Sequence, residues 1–213
     1  MCKTIFAVLS GMALATSAAW SQDSQDIEVG AFDRIDAGGG YEIEIVRGDA
    51  PSVRLTGDAD DFEDIHVEVR NGRLEVEQDS GLFSRRRSLD VVVEVTVTEI
   101  RALDFNRGIS ARVTDIESDE LRINVSTGSS SRIAGRCASL DLEASTGSSL
   151  NASELICADV DVEASTGASA SVHATDSVSA SASMGASLRV HGSPPSREVR
   201  STMGGSVHLA HEG

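Results

Sequence analysis

A glycine followed two residues later by a serine recurs six times in the second half of this chain. The pairs are Gly108/Ser110, Gly128/Ser130, Gly147/Ser149, Gly167/Ser169, Gly185/Ser187 and Gly204/Ser206. Successive glycines lie 20, 19, 20, 18 and 19 residues apart. Self-similarity at such a period marks a solenoid, in which each repeat buries its apolar face only against its neighbours.

Aligned on the glycines, the repeats alternate apolar and polar residues on both sides. Five residues before each glycine stand Leu103, Ile123, Leu142, Val162, Ala180 and Val199; five after stand Val113, Ile133, Ala152, Val172, Val190 and Leu209. Alternation of period two belongs to half-buried strands. Each unit therefore reads as strand, glycine-centred bend, strand and return, from about residue 101 to 211. The glycine is expected at a positive φ or a close backbone approach that a Cβ would obstruct. The serine column would stack at ~4.8 Å, where its hydroxyls could form a hydrogen-bonded ladder. The predicted fold is all-β, a right-handed parallel β-helix or β-solenoid with rungs of about 19–20 residues. The alternative makes each Thr-Gly-Ser a hairpin tip and gives an antiparallel β-meander or prism.

The first half is less regular but equally strand-like. Tyr41 to Val46, Ser52 to Leu55, Ile65 to Val69 and Leu74 to Val76 alternate, and Asn71-Gly72 is a two-residue turn signal between two of them. Only Phe32, Tyr41, Phe62, Phe83 and Phe105 supply aromatic bulk after residue 21. A core of Val, Leu, Ile and Ala suits a narrow coil better than a globule.

The N-terminus has the layout of a secretory leader. Lys3 precedes the apolar run Ile5 to Ala15, and small residues follow. Residues 1–21 are expected to be removed, with cleavage after Ser21 preferred over Ala19. The remainder divides into an N-terminal extension, 22–31, and one solenoid domain, 32–211. The formal charge is −16, or −17 once Lys3 leaves with an acid-free leader. Such acidity disfavours nucleic acid and anionic membrane as partners. No later stretch is apolar enough for a membrane helix.

Cys137 and Cys157 lie nine and ten residues after consecutive glycines, so both fall on the return segments of adjacent rungs. Stacked positions ~4.8 Å apart satisfy disulfide geometry, and export supplies the oxidising compartment. The competing state is a pair of buried thiols.

The opening Phe32-Asp33-Arg34-Ile35 with Tyr41 to Ile45, the segment Val69 to Leu74, the serial Ser-x-Gly-Ala-Ser units and Val190-His191-Gly192-Ser193-Pro194 together resemble the family of the putative auto-transporter adhesin, head GIN domain. The resemblance runs from Phe32 to His208. It implies an exported β-solenoid of the bacterial cell envelope, and it carries no catalytic residues to transfer.

Catalytic and metal chemistry is hard to find in the residues themselves. His208 and His211, three apart, fall on opposite faces of a strand. No Gly-x-Ser-x-Gly elbow gives the serines a nucleophile context. The pairs Asp141/Glu143 and Asp161/Glu163 would stack on an outer face, without the aromatic platforms of a polysaccharide-cleaving site. The acidic run Asp58 to Asp64 lacks the glycine and spacing of a calcium loop, so weak calcium binding there is secondary to a solvated turn. The basic run Arg85-Arg86-Arg87 reads as an ordinary solvated loop. No cofactor or metal is expected, and the six glycines and six serines have structural roles. The expected function is a non-enzymatic exported envelope or surface protein, a binding module for envelope glycans or proteins or for its own copies. The rivals are a carbohydrate-active β-helix enzyme and a purely structural envelope component.

Overall fold

The computed structural model describes residues 23–79 and 88–210. The leader, the Arg85-Arg86-Arg87 run and His211 lie outside the described residues. Chain order is β1 (Asp23–Ile27), β2 (Arg34–Gly38), β3 (Glu42–Arg47), β4 (Ser52–Gly57), α1 (Ala59–Phe62), β5 (Ile65–Arg70), β6 (Arg73–Gln78), β7 (Val91–Val97) and β8 (Ala102–Asn106). The repeats follow as β9 (Ser110–Val125), β10 (Ser130–Ala144), β11 (Ser149–Ala164), β12 (Ser169–Ala182), β13 (Ser187–His191), β14 (Ser196–Ser201) and β15 (Ser206–Leu209).

The chain is a β-solenoid of about five turns. Each long strand runs from one glycine turn, through a bulged bend, to the next. The segments after the turns stack into a first wall and those before the turns into a second. Every strand contact in the repeats is parallel: β9 with β10, β10 with β11, β11 with β12, and β12 with both β13 and β14. The antiparallel meander is thereby excluded for the repeats, where the parallel stack buries the same column of every rung. Ile123, Leu142, Val162 and Ala180 form one such column, each at most 2% exposed. Full burial of a Leu or Val contributes about 1.5–3 kcal/mol, so stacking many identical positions offsets the lack of aromatic bulk.

Turns do not stack in chain order. In the first wall β3 lies between β7 and β9, and in the second wall β2 lies between β6 and β8. The β2–β3 turn is laid down first but becomes the second from the N-terminal end. The chain leaves it, builds a cap, returns through β6 and β7, and crosses to β8. Antiparallel strands form the cap: β4 pairs β7, β1 pairs β4, and β5 pairs β6 across Asn71-Gly72, both at positive φ (51° and 75°). The 22–31 stretch therefore carries β1, the edge strand of the first wall. Antiparallel pairing at this end makes the terminal surface unlike a repeat face.

The acidic run folds as the connection between β4 and β5. The Asp58 carboxylate accepts the Asp60 N–H at 3.1 Å and caps α1. Asp61 is buried and accepts the Asp90 N–H at 2.9 Å.

At the corners, Gly128, Gly147 and Gly167 have φ of 72°, 68° and 71°, and a Cβ on any of them would meet nothing within 4 Å. Conformation rather than crowding explains the glycine. The preceding Thr127, Thr146 and Thr166 are also at positive φ, 51–53°. Each turn closes on a bond such as Ser129 N–H to Ser126 carbonyl, 3.2 Å. Two positive φ values with this closure make a primed turn. The threonine conformation is costly for a β-branched residue, and a carbonyl ladder offsets it. Gly128 N–H donates to the Thr146 carbonyl, Gly147 N–H to Thr166 and Gly167 N–H to Met184, at 3.0–3.1 Å. Gly147→Val is expected to cost roughly 1–3 kcal/mol through backbone strain alone; an unchanged urea midpoint would contradict the turn.

Cys137 and Cys157 are register partners and form a disulfide with a Cα–Cα distance of 4.5 Å. The two residues lie one full rung apart along the chain, and parallel stacking of adjacent rungs brings them together.

Candidate binding faces

Residues pointing out of the two walls make two faces of different chemistry. On the first wall the six serines of the repeat form one column. Ser110 pairs with Ser130, Ser130 with Ser149, Ser149 with Ser169, Ser169 with Ser187 and Ser187 with Ser206. Their backbones stack, but no hydrogen bond joins one hydroxyl to the next. Among the described residues, the serine hydroxyls bonded inside the chain belong instead to Ser118, Ser129, Ser153 and Ser177. Strand spacing of ~4.8 Å exceeds the ~2.7–2.8 Å of an O–H···O bond, so these outward hydroxyls stay open to solvent.

Beside this column runs a second one: Arg112, Arg132, Asn151, Ser171, Arg189 and His208. Between the two lies a shallow groove of about 300 Å³, lined by Ser110, Arg112, Ser130, Arg132, Ser149 and Asn151, with the Glu42 carboxylate at its N-terminal end. Arg112 donates to Glu44 at 3.0 Å.

The second wall is acidic. Asp141 pairs with Asp161, Glu143 with Glu163 and Ser139 with Asp159, as the spacing of the carboxylates predicts. A depression of about 280 Å³ is lined by Asp141, Asp159, Asp161, Ser139, Ser177 and Ser179. Arg122 donates to Asp141 at 2.7 Å, and Ser177 Oγ to Asp159 at 2.5 Å. Nearer the N-terminal end, Arg73 lies 3.3 Å from Asp36 and 3.4 Å from Asp104. Partial burial, reinforced by the Asp36 charge, holds the Asp104 carboxyl above its ordinary range. The neighbouring buried Tyr41 donates its hydroxyl to the Val76 carbonyl at 2.6 Å, and burial pushes its pKa up.

Among the described residues no cluster of three His, Cys, Asp or Glu side chains is placed to hold a metal ion. The histidines are scattered. His66 is 3.3 Å from Glu68, and His173 Nδ1 is 3.3 Å from the Ser153 carbonyl. No described helix is long and apolar enough to cross a membrane.

Sequence alternation missed one inward position. The residue after each of the first five repeat glycines is buried: Ile109, Ser129, Ser148, Ala168 and Ala186. The tight turn swings it into the core, out of phase with the strands. Ser129 Oγ accepts the Gly108 N–H at 3.3 Å, whereas the buried Ser131 and Ser148 hydroxyls have no partner.

A solenoid with two flat, chemically distinct faces belongs to the class of repeat proteins that offer an extended surface rather than a cleft. The chain belongs to the family of the putative auto-transporter adhesin, head GIN domain, whose model matches residues 31–194. Solved structures share the fold. A putative adhesin from Bacteroides fragilis aligns with TM-score 0.71 at 16% identity, covering 90% of this chain and 98% of the other. One from Parabacteroides merdae aligns with TM-score 0.62 at 14% identity, over 90% and 97%. A putative lipid binding protein from Parabacteroides distasonis aligns with TM-score 0.52 at 16% identity, over 90% and 98%. None of the curated proteins matches the chain.

Proposed function

We propose that this chain is an exported, non-enzymatic binding module of the cell envelope or surface, freed of residues 1–21 and working through a rigid β face. One observation carries this: exposed polar side chains repeat in register over successive rungs, so the faces present the same groups at a fixed interval. A repetitive partner such as a glycan chain matches such an array. Family membership and the adhesin neighbours support a binding role. The disulfide supports an oxidising compartment.

The carbohydrate-active alternative predicts turnover dependent on a carboxylate such as Asp161. A glycan array combined with a reducing-sugar release assay separates the two. Binding without sugar release is the expected result. Release abolished by Asp161→Asn would replace the module with an enzyme. Silence in both assays, with envelope proteins recovered in a pull-down, would leave the purely structural role.

A further inference from the structure

Most of the described arginines in this acidic chain are matched to carboxylates. Ten of the fourteen described arginines form ion pairs: Arg34, Arg47, Arg54, Arg70, Arg73, Arg101, Arg107, Arg112, Arg122 and Arg200. Arg197 donates to the Pro194 carbonyl. Arg132, Arg136 and Arg189 have no acidic partner among the described residues, although the chain holds 34 acids. All three are exposed and project from the first wall or its bend. Arg132 and Arg189 share the column beside the open serine hydroxyls, and Arg132 lines the groove.

We infer that this face binds a linear acidic polysaccharide, whose carboxylates seat on Arg132 and Arg189 while its hydroxyls bond to the serine column and Asn151. The inference rests on the binding-module reading above and names its partner. Three strand steps separate Arg132 from Arg189, about 14 Å at ~4.8 Å per step. Sparse cations with hydroxyls between them fit a chain whose charges alternate with hydroxyl groups. They fit nucleic acid poorly, because among the described residues the face carries no Phe, Tyr or Trp on which bases could stack. A guanidinium matches a carboxylate bidentately, and such charge-assisted bonds are the strong ones.

The test uses the full mature chain and immobilised polygalacturonate, with neutral dextran, single-stranded DNA and anionic phosphatidylglycerol vesicles as parallel arms. Binding to polygalacturonate alone, weakened by salt, is expected. Arg132→Gln and Arg189→Gln should each weaken it about tenfold, with an unchanged melting temperature. Asp141→Asn on the other wall should leave it intact. Binding indifferent to both arginines, or equal binding to DNA or vesicles, overturns the inference. Dextran binding with no preference for polygalacturonate overturns it too, yet leaves the module reading standing. No binding in any arm, together with no binding to isolated cell envelopes, defeats both. Concentration-dependent self-association that the arginine substitutions abolish would assign the face to a second copy's acidic wall and overturn the glycan partner.

Discussion

Gly135→Ala is expected to destabilise the protein by about 3–5 kcal/mol, combining backbone strain with overpacking. Gly135 has φ of 147°, and a Cβ there would lie 2.2 Å from the Ile116 carbonyl oxygen and 2.7 Å from its nitrogen. Both are backbone atoms of the neighbouring strand, so no side chain can yield. The crowding arises at a bulge. Thr114 and Asp115 of β9 oppose the single residue Ala134 of β10, and Asp115 takes φ of 60°. Urea denaturation of Gly135→Ala beside Gly30→Ala, which meets nothing within 4 Å, isolates the effect. Equal midpoints for the two variants would refute the bulge geometry.

Loss of the Cys137–Cys157 disulfide is expected to cost about 3 kcal/mol, from the entropy of the 20-residue separation it closes. Cys137→Ala/Cys157→Ala is the suitable variant, because Cys157 is buried and alanine introduces no polar group there. Parallel stacking gives the bond a specific place in the energetics. It ties adjacent rungs of a coil whose other inter-rung contacts are repeated and individually weak. The urea midpoint of the double variant should fall, and reductant should lower that of the native chain by the same amount. A midpoint insensitive to both changes would show that the two rungs stay together without the link.

Much of this was legible from period and alternation. The repeat spacing placed Ser130 beside Ser149 and Cys137 within one residue of the level of Cys157, and the bulge between Arg132 and Ala134 brings the two cysteines into register. Alternation placed Leu142, Val162 and Ala180 inside and Asp141, Asp161 outside. The Asn71-Gly72 signal located a hairpin, since a two-residue primed turn demands residues that tolerate positive φ.

Other features have no local signature. The expected ladder of bonded serine hydroxyls fails because strand spacing, not sequence, sets the gap between them. Threonine does not by itself choose a left-handed backbone. Thr146 and Thr166 adopt it with carbonyls that accept from Gly128 and Gly147 of the preceding turn. Ser129 and Ser148 point inward for a related reason, as the turn breaks the two-residue phase that carried the prediction.

By itself the sequence determined the strand pattern, the length of a rung and the register of the columns at its turns, all of which depend on intervals along the chain. Only the tertiary structure decided that β2 and β3 slot between turns formed later, and that antiparallel strands close one end. It alone decided that the repeat serines and the unpaired Arg132 and Arg189 share the first wall, while Asp141, Asp159 and Asp161 line one depression on the second. Those outcomes depend on which distant segments become neighbours. In a parallel stack nothing local enforces that choice, because no tight turn joins the partners and any rung of similar shape could fill the place.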